Sequence, residues 1–170
     1  MKVPAAIVLP GAAVTVAMVM AGTVAAIAAG PASPQALAKS SSNYVLGCGG
    51  CHGIDGASNP KLVPELRGQV GYFLATPRGR EYLVRLPNVA FYAVSDAELA
   101  DVLNYMVFTI GRGGVPGNAK PYTAAEVGNL RKSPLTEVSL IEYRNTLVED
   151  LIANHGAPAS LRVYSSAAYE

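Results

Sequence analysis

Apolar positions along this chain recur at helical spacing, and nowhere alternate at strand spacing over more than a few residues. The clearest segment runs from Ser95 to Ile110, where Leu99, Val102, Leu103, Met106 and Ile110 form one apolar stripe. Ser95 followed three residues later by Glu98 is a capping-box pattern, and Gly111, Gly113 and Gly114 mark the helix end. Thr123 and Glu126 repeat the capping pattern for a short helix to about Lys132, broken by Pro134. A longer helix is predicted over Thr136 to Asn154, carrying Val138, Ile141, Leu147, Val148, Leu151 and Ile152, with Gly156 and Pro158 as stops. Upstream, Ser40-Ser41-Ser42 reads as a linker before a compact helix with Tyr44, Val45 and Cys48. A glycine- and proline-rich stretch follows. Tyr82 to Arg85 forms a short helix interrupted at Leu86-Pro87, because proline disfavours helix at the residue before it. No internal repeat is present, and the class is all-α.

The N-terminal part has a different character. Ala5 to Ala29 carries no charged side chain, Lys2 precedes it, and two small-x-small sites follow, Ala26-Ile27-Ala28 and Ala36-Leu37-Ala38. This is the layout of a secretory signal peptide. The apolar run also approaches the ~20 residues that span a bilayer, which makes an uncleaved anchor the alternative. Either way Lys2 stays on the cytoplasmic side and the chain from about Lys39 is exported, to the periplasm in a bacterium. The resulting division is 1–38 as signal or anchor, 39–115 as the main domain and 116–170 as a helical extension.

Charge excludes one class of partner. The formal net charge is +1, and removing Lys2 leaves the remainder with no net charge. There is no basic excess to neutralise nucleic-acid phosphates, and contact with a membrane is expected only through the N-terminal segment. Two cysteines exclude a multi-disulfide scaffold.

Those two cysteines carry the chemistry. Cys48-Gly49-Gly50-Cys51-His52 is a C-x-x-C-H sequence, the pattern of c-type haem attachment. Two thiols at this spacing can add to the two vinyl groups on one edge of a haem, and the next histidine then supplies a proximal imidazole to the iron. Three other readings compete: a thioredoxin-like redox pair, which lacks a surrounding βαβ pattern; half a zinc site, which lacks further ligands; and a structural disulfide, which has no need of His52.

Beyond the motif, Tyr44-x-x-x-Cys48-x-x-Cys51-His52-Gly53-x-Asp55-Gly56 and, downstream, Val94 to Leu99 leading into Leu103-Asn104-Tyr105-Met106 resemble the class I cytochromes c. The resemblance covers about Ser42 to Ile110. It implies a single covalently bound haem c held by Cys48, Cys51 and His52, in an all-α haem domain over 39–115 with additional C-terminal helices. It also implies that Tyr44 packs against Tyr105. The function implied is one-electron transfer between a periplasmic dehydrogenase or other redox protein and a downstream acceptor, as an electron carrier and not an enzyme.

One part of the family pattern is missing. The usual second axial ligand is a methionine in a loop before the last family helix, yet Gly53 to Asn104 contains none, and Leu86-Pro87 stands about where Met-Pro is expected. Candidate substitutes are Met106, on the apolar stripe; His155, the other histidine, at a helix end; and Tyr72, Tyr82, Tyr92 or a lysine. Otherwise the iron is five-coordinate or water-ligated, which defines the alternative function: an open-site haem protein that binds or transforms a small ligand such as peroxide or a gas. Arg78, Arg80 and Arg85 are either neighbours of the haem propionates and a docking rim, or a solvated face.

Overall fold

The computed structural model describes Met1 and residues 33–164. The segment read as signal or anchor, apart from its last residues, lies outside the described residues. Among the described residues no helix is long and apolar enough to cross a membrane. Residues 32–170 cluster as one compact unit.

The first helix, α1 (Pro34–Tyr44), begins earlier than the sequence pattern suggests. Ser33 accepts from the backbone N–H of Ala36 at 3.2 Å and Pro34 takes the first helical position. The serine run is therefore helix and not linker: Ser40 and Ser42 satisfy their hydroxyls by donating to the carbonyls of Ala36 and Ala38 one turn back, each at 2.9 Å. The helix runs on through a π turn (Val45–Gly49) into the single turn α2 (Gly50–His52). Thus Cys48, Cys51 and His52 sit on a continuous helical segment, stopped at Gly53 with φ +75°.

After a loop and a 3₁₀ turn (Val70–Ala75), α3 (Pro77–Arg85) is capped by Thr76 and extends further N-terminally than Tyr82. The break at Leu86 is as predicted, and α4 (Pro87–Ala90) restarts on the proline. In α5 (Asp96–Asn104) the Ser95–Glu98 capping box is fully formed, and the helix continues as a π turn over Tyr105–Ile110. The C-terminal helices are α6 (Ala124–Leu130), capped by Thr123, and α7 (Leu140–Asn154), capped by Ser139. Helix α7 starts after Thr136 because Ser139 supplies the cap, which leaves Val138 exposed ahead of it.

α1 packs on α5, and α5 on α6. Tyr44, fully buried, meets Tyr105 with ring centroids 5.8 Å apart and tilted by 51°. The additional helices share this core, to which Val127, Leu147, Val148 and Leu151 belong together with Leu99, Leu103 and Val107.

The arginines of α3 bind these elements together. Arg80 forks onto Glu126 at 2.6 and 2.8 Å, donates to the carbonyls of Lys120 and Pro121, and lies 4.0 Å from the Tyr122 ring centre. Arg78 donates to the Tyr143 hydroxyl at 3.2 Å and Arg85 to the Ser133 carbonyl at 2.7 Å.

Candidate haem site

The helical segment that carries the C-x-x-C-H motif forms one side of an apolar cavity of about 310 Å³. Cys48 and His52 line it, together with Val63, Leu66, Val70, Phe73, Leu83 and Val89. Cys48 is partly buried and Cys51 exposed, and both thiols are free. Burial, and then the neighbouring Cys51, push the Cys48 thiol above its ordinary value.

His52 is held in a definite orientation. Its Nδ1 lies 2.9 Å from the carbonyl oxygen of Pro64. A carbonyl only accepts, so Nδ1 carries the proton and Nε2 bears the lone pair of the neutral ring. Burial lowers the His52 pKa, against the opposing effect of the Pro64 contact, and this favours the neutral, ligating form. A ring N–H donated to a backbone carbonyl is the usual support of a metal-bound histidine.

The loop that delivers Pro64 is itself fixed. Ser58 donates to the Val63 carbonyl at 3.1 Å, and the Gly56 carbonyl accepts from Leu66 and Arg67 at 3.0 and 3.1 Å. Arg67 also pairs with Asp55. This donor set fits a haem: an oriented imidazole, one thiol in the wall, a second one turn further on, and apolar sides.

Opposite elements complete the cavity. Leu86 and Pro87 line it, and so does Tyr82. Met106 lines it as well, while belonging to the core cluster at 8% exposure. His155 is elsewhere: it lines a separate depression with Tyr72 and lies 3.8 Å from Asp150. Tyr92 donates to the Asn43 carbonyl, and among the described residues no lysine lines the cavity. Arg78, Arg80 and Arg85 do not line it either. They fit neither reading made of them, since they tie α3 to the C-terminal helices.

The cationic residue in the wall is one that the sequence reading missed. Arg144 of α7, 3% exposed, lines the cavity beside Leu140 and Ile141, as does Tyr164. The signal was present in the sequence: Arg144 interrupts the apolar stripe Leu140, Leu147, Leu151 at helical spacing.

Known proteins supply an independent comparison. No family model matches the chain, and no solved structure matches it significantly. Cytochrome c-552 of Thermus thermophilus is 31% identical over 118 residues, covering 59% of this chain and 90% of that protein. A second cytochrome c-552, from another strain of Thermus thermophilus, is also 31% identical over 118 residues, with 80% of its length covered. With this coverage, and with an all-α, cytochrome c-like fold around the oriented histidine, the chain belongs to the c-type cytochrome family of cytochrome c-552.

Proposed function

We propose that this chain is an exported, single-haem cytochrome c of class I type that carries one electron between a periplasmic redox enzyme, such as a dehydrogenase, and a downstream acceptor. Cytochrome c homology implies covalently bound haem c and supports an electron-transfer role. In this reading Cys48 and Cys51 hold the group covalently and His52 Nε2 is its proximal ligand. When bound, haem supplies a reversible one-electron change at iron. The protein's part is to orient and exclude. Pro64 fixes the imidazole plane and tautomer, and the apolar walls keep water from the cavity, which sets the dielectric and with it the potential.

The observation that carries the reading is the His52–Pro64 contact beside a cysteine-lined apolar cavity. The test is expression with the haem-attachment machinery, haem staining of a denaturing gel, and a spectroelectrochemical titration. A covalent haem with a one-electron Nernst curve is the expected result. A correctly matured protein without covalent haem would refute it.

A second reading has its own support. Leu86, which has no ligating atom, lines the cavity where a loop methionine is expected. That favours an open site able to accept a small ligand, alongside or instead of electron transfer.

A further inference from the structure

We propose that the wall built by Tyr82, Leu86 and Arg144 is a binding site for a small inorganic anion, held beside the cofactor by the Arg144 guanidinium and the Tyr82 hydroxyl. The inference deepens the preceding section and rests on its reading that haem occupies the His52 cavity.

Tyr82 and Leu86 stand one helical turn apart, at the end of α3, and both line the cavity. Leu86 leaves this wall without a ligating atom at the position where the family places one. What the wall has instead comes from α7. Tyr143 stacks on Tyr82 with centroids 5.9 Å apart, and Tyr82 stacks on Phe73 at 5.5 Å. This aromatic stack fixes α7 against α3 and delivers the next residue, Arg144, to the same cavity. Its guanidinium lies 5.8 Å from the Phe73 ring centre and 5.3 Å from that of Tyr164, and Nη1 donates to the Leu161 carbonyl at 3.1 Å.

A guanidinium in such a place is expensive. Desolvating an ion costs several kcal/mol even after relaxation, and an aliphatic residue on this stripe would pack without that penalty. A guanidinium has five N–H donors in a planar fork, so one that anchors to a carbonyl can also meet an anion. Burial pushes Tyr82 up to about 12, so its hydroxyl remains a donor at neutral pH. A cation and a phenol on one wall select negative charge, whereas a neutral diatomic gains little from either. The carboxylate of the cavity, Glu65, comes from the loop beside Pro64, on the His52 side.

The experiment uses the ferric holoprotein at pH 8. Azide is titrated while the Soret band is followed, with neutral imidazole as the uncharged comparison, in wild type, Arg144→Leu, Arg144→Lys and Tyr82→Phe. We expect saturable azide binding in wild type and a loss of about tenfold or more in Arg144→Leu, with imidazole affinity within about twofold. Arg144→Lys should fall between, since it keeps the charge but loses the fork. If Arg144→Leu does not fold, the Arg144→Lys and Tyr82→Phe titrations decide, and azide affinity equal to wild type in both overturns the proposal. So does a wild type that gives no azide response, or a loss shared equally by imidazole. A shifted midpoint potential in Arg144→Leu with unchanged azide affinity also overturns it, and would mean that Arg144 serves the cofactor's own carboxylates. Absence of covalent haem is seen on the gel before any titration, and refutes the reading beneath the proposal as well.

Discussion

His52 and Pro64 are twelve residues apart, and the histidine ring is oriented by the proline carbonyl through a 2.9 Å contact. Because the acceptor is a backbone atom, the orientation depends on the loop and not on the proline side chain. We expect His52→Ala to abolish the native low-spin spectrum, and Cys48→Ala or Cys51→Ala to cripple covalent attachment. Pro64→Ala should retain both. Haem staining and the visible spectrum of each purified variant check this.

The loop in turn depends on Gly56. Its φ of +80° is unfavourable for any residue with a side chain. An added Cβ would lie 2.3 Å from Ile110 Cγ2 and 3.1 Å from the Arg67 backbone nitrogen. Backbone strain of ~1–2 kcal/mol and overpacking of ~1–3 kcal/mol together put Gly56→Ala at a destabilisation of about 2–4 kcal/mol. Since the Gly56 carbonyl also ties down Leu66 and Arg67, the Pro64 contact should loosen with it. Denaturant titration measures the first effect. A broadened or pH-sensitive Soret band reports the second.

The second axial position gives the next prediction. Met106 is part of the core cluster and also borders the cavity. We expect the ferric protein to lack the near-infrared sulfur-to-iron band of His/Met ligation, and its potential to lie below that of His/Met relatives. Met106→Leu, a volume-conserving swap, should leave the spectrum unchanged and cost under ~1.5 kcal/mol. His155→Ala should leave it unchanged too, since His155 lines a different depression. A sulfur-to-iron band that disappears in Met106→Leu would show that the core position doubles as a ligand.

Much of this arrangement was legible because it is local. The Ser95–Glu98 cap, the break at Leu86-Pro87 and the α5 stripe each depend on residues within one or two helical turns. The Tyr44–Tyr105 pair followed from the family pattern. What was not legible depends on long-range partners or on side chains bonded back to their own helix. Ser40 and Ser42 look like linker residues until their hydroxyls are bonded back to α1 carbonyls. Arg78, Arg80 and Arg85 look like a charged surface until Tyr143, Glu126 and Ser133 appear opposite them. Arg144 reads as a polar interruption of α7 until the helix is laid beside Phe73 and Tyr82.

The Arg80–Glu126 pair predicts how stability responds to acid. The Arg80 hydrogen bond holds the Glu126 carboxyl below its ordinary value, with burial opposing. A carboxyl with a folded pKa below its unfolded one contributes stability that is fully present above the unfolded value, about 4.3, and is lost as pH falls through the folded value. The pair is about one-third exposed on the glutamate side, so solvent screening reduces its worth to about 1 kcal/mol. Glu126→Gln keeps the shape and one acceptor but removes the charge. At pH 7 the variant should be less stable than wild type by about that amount. Below about pH 3 wild-type Glu126 is itself protonated, and the two unfolding curves should converge. Urea titrations of both holoproteins at the two pH values make the comparison. A gap that persists undiminished in acid would place the loss in packing at the α3–α6 contact and not in the charge.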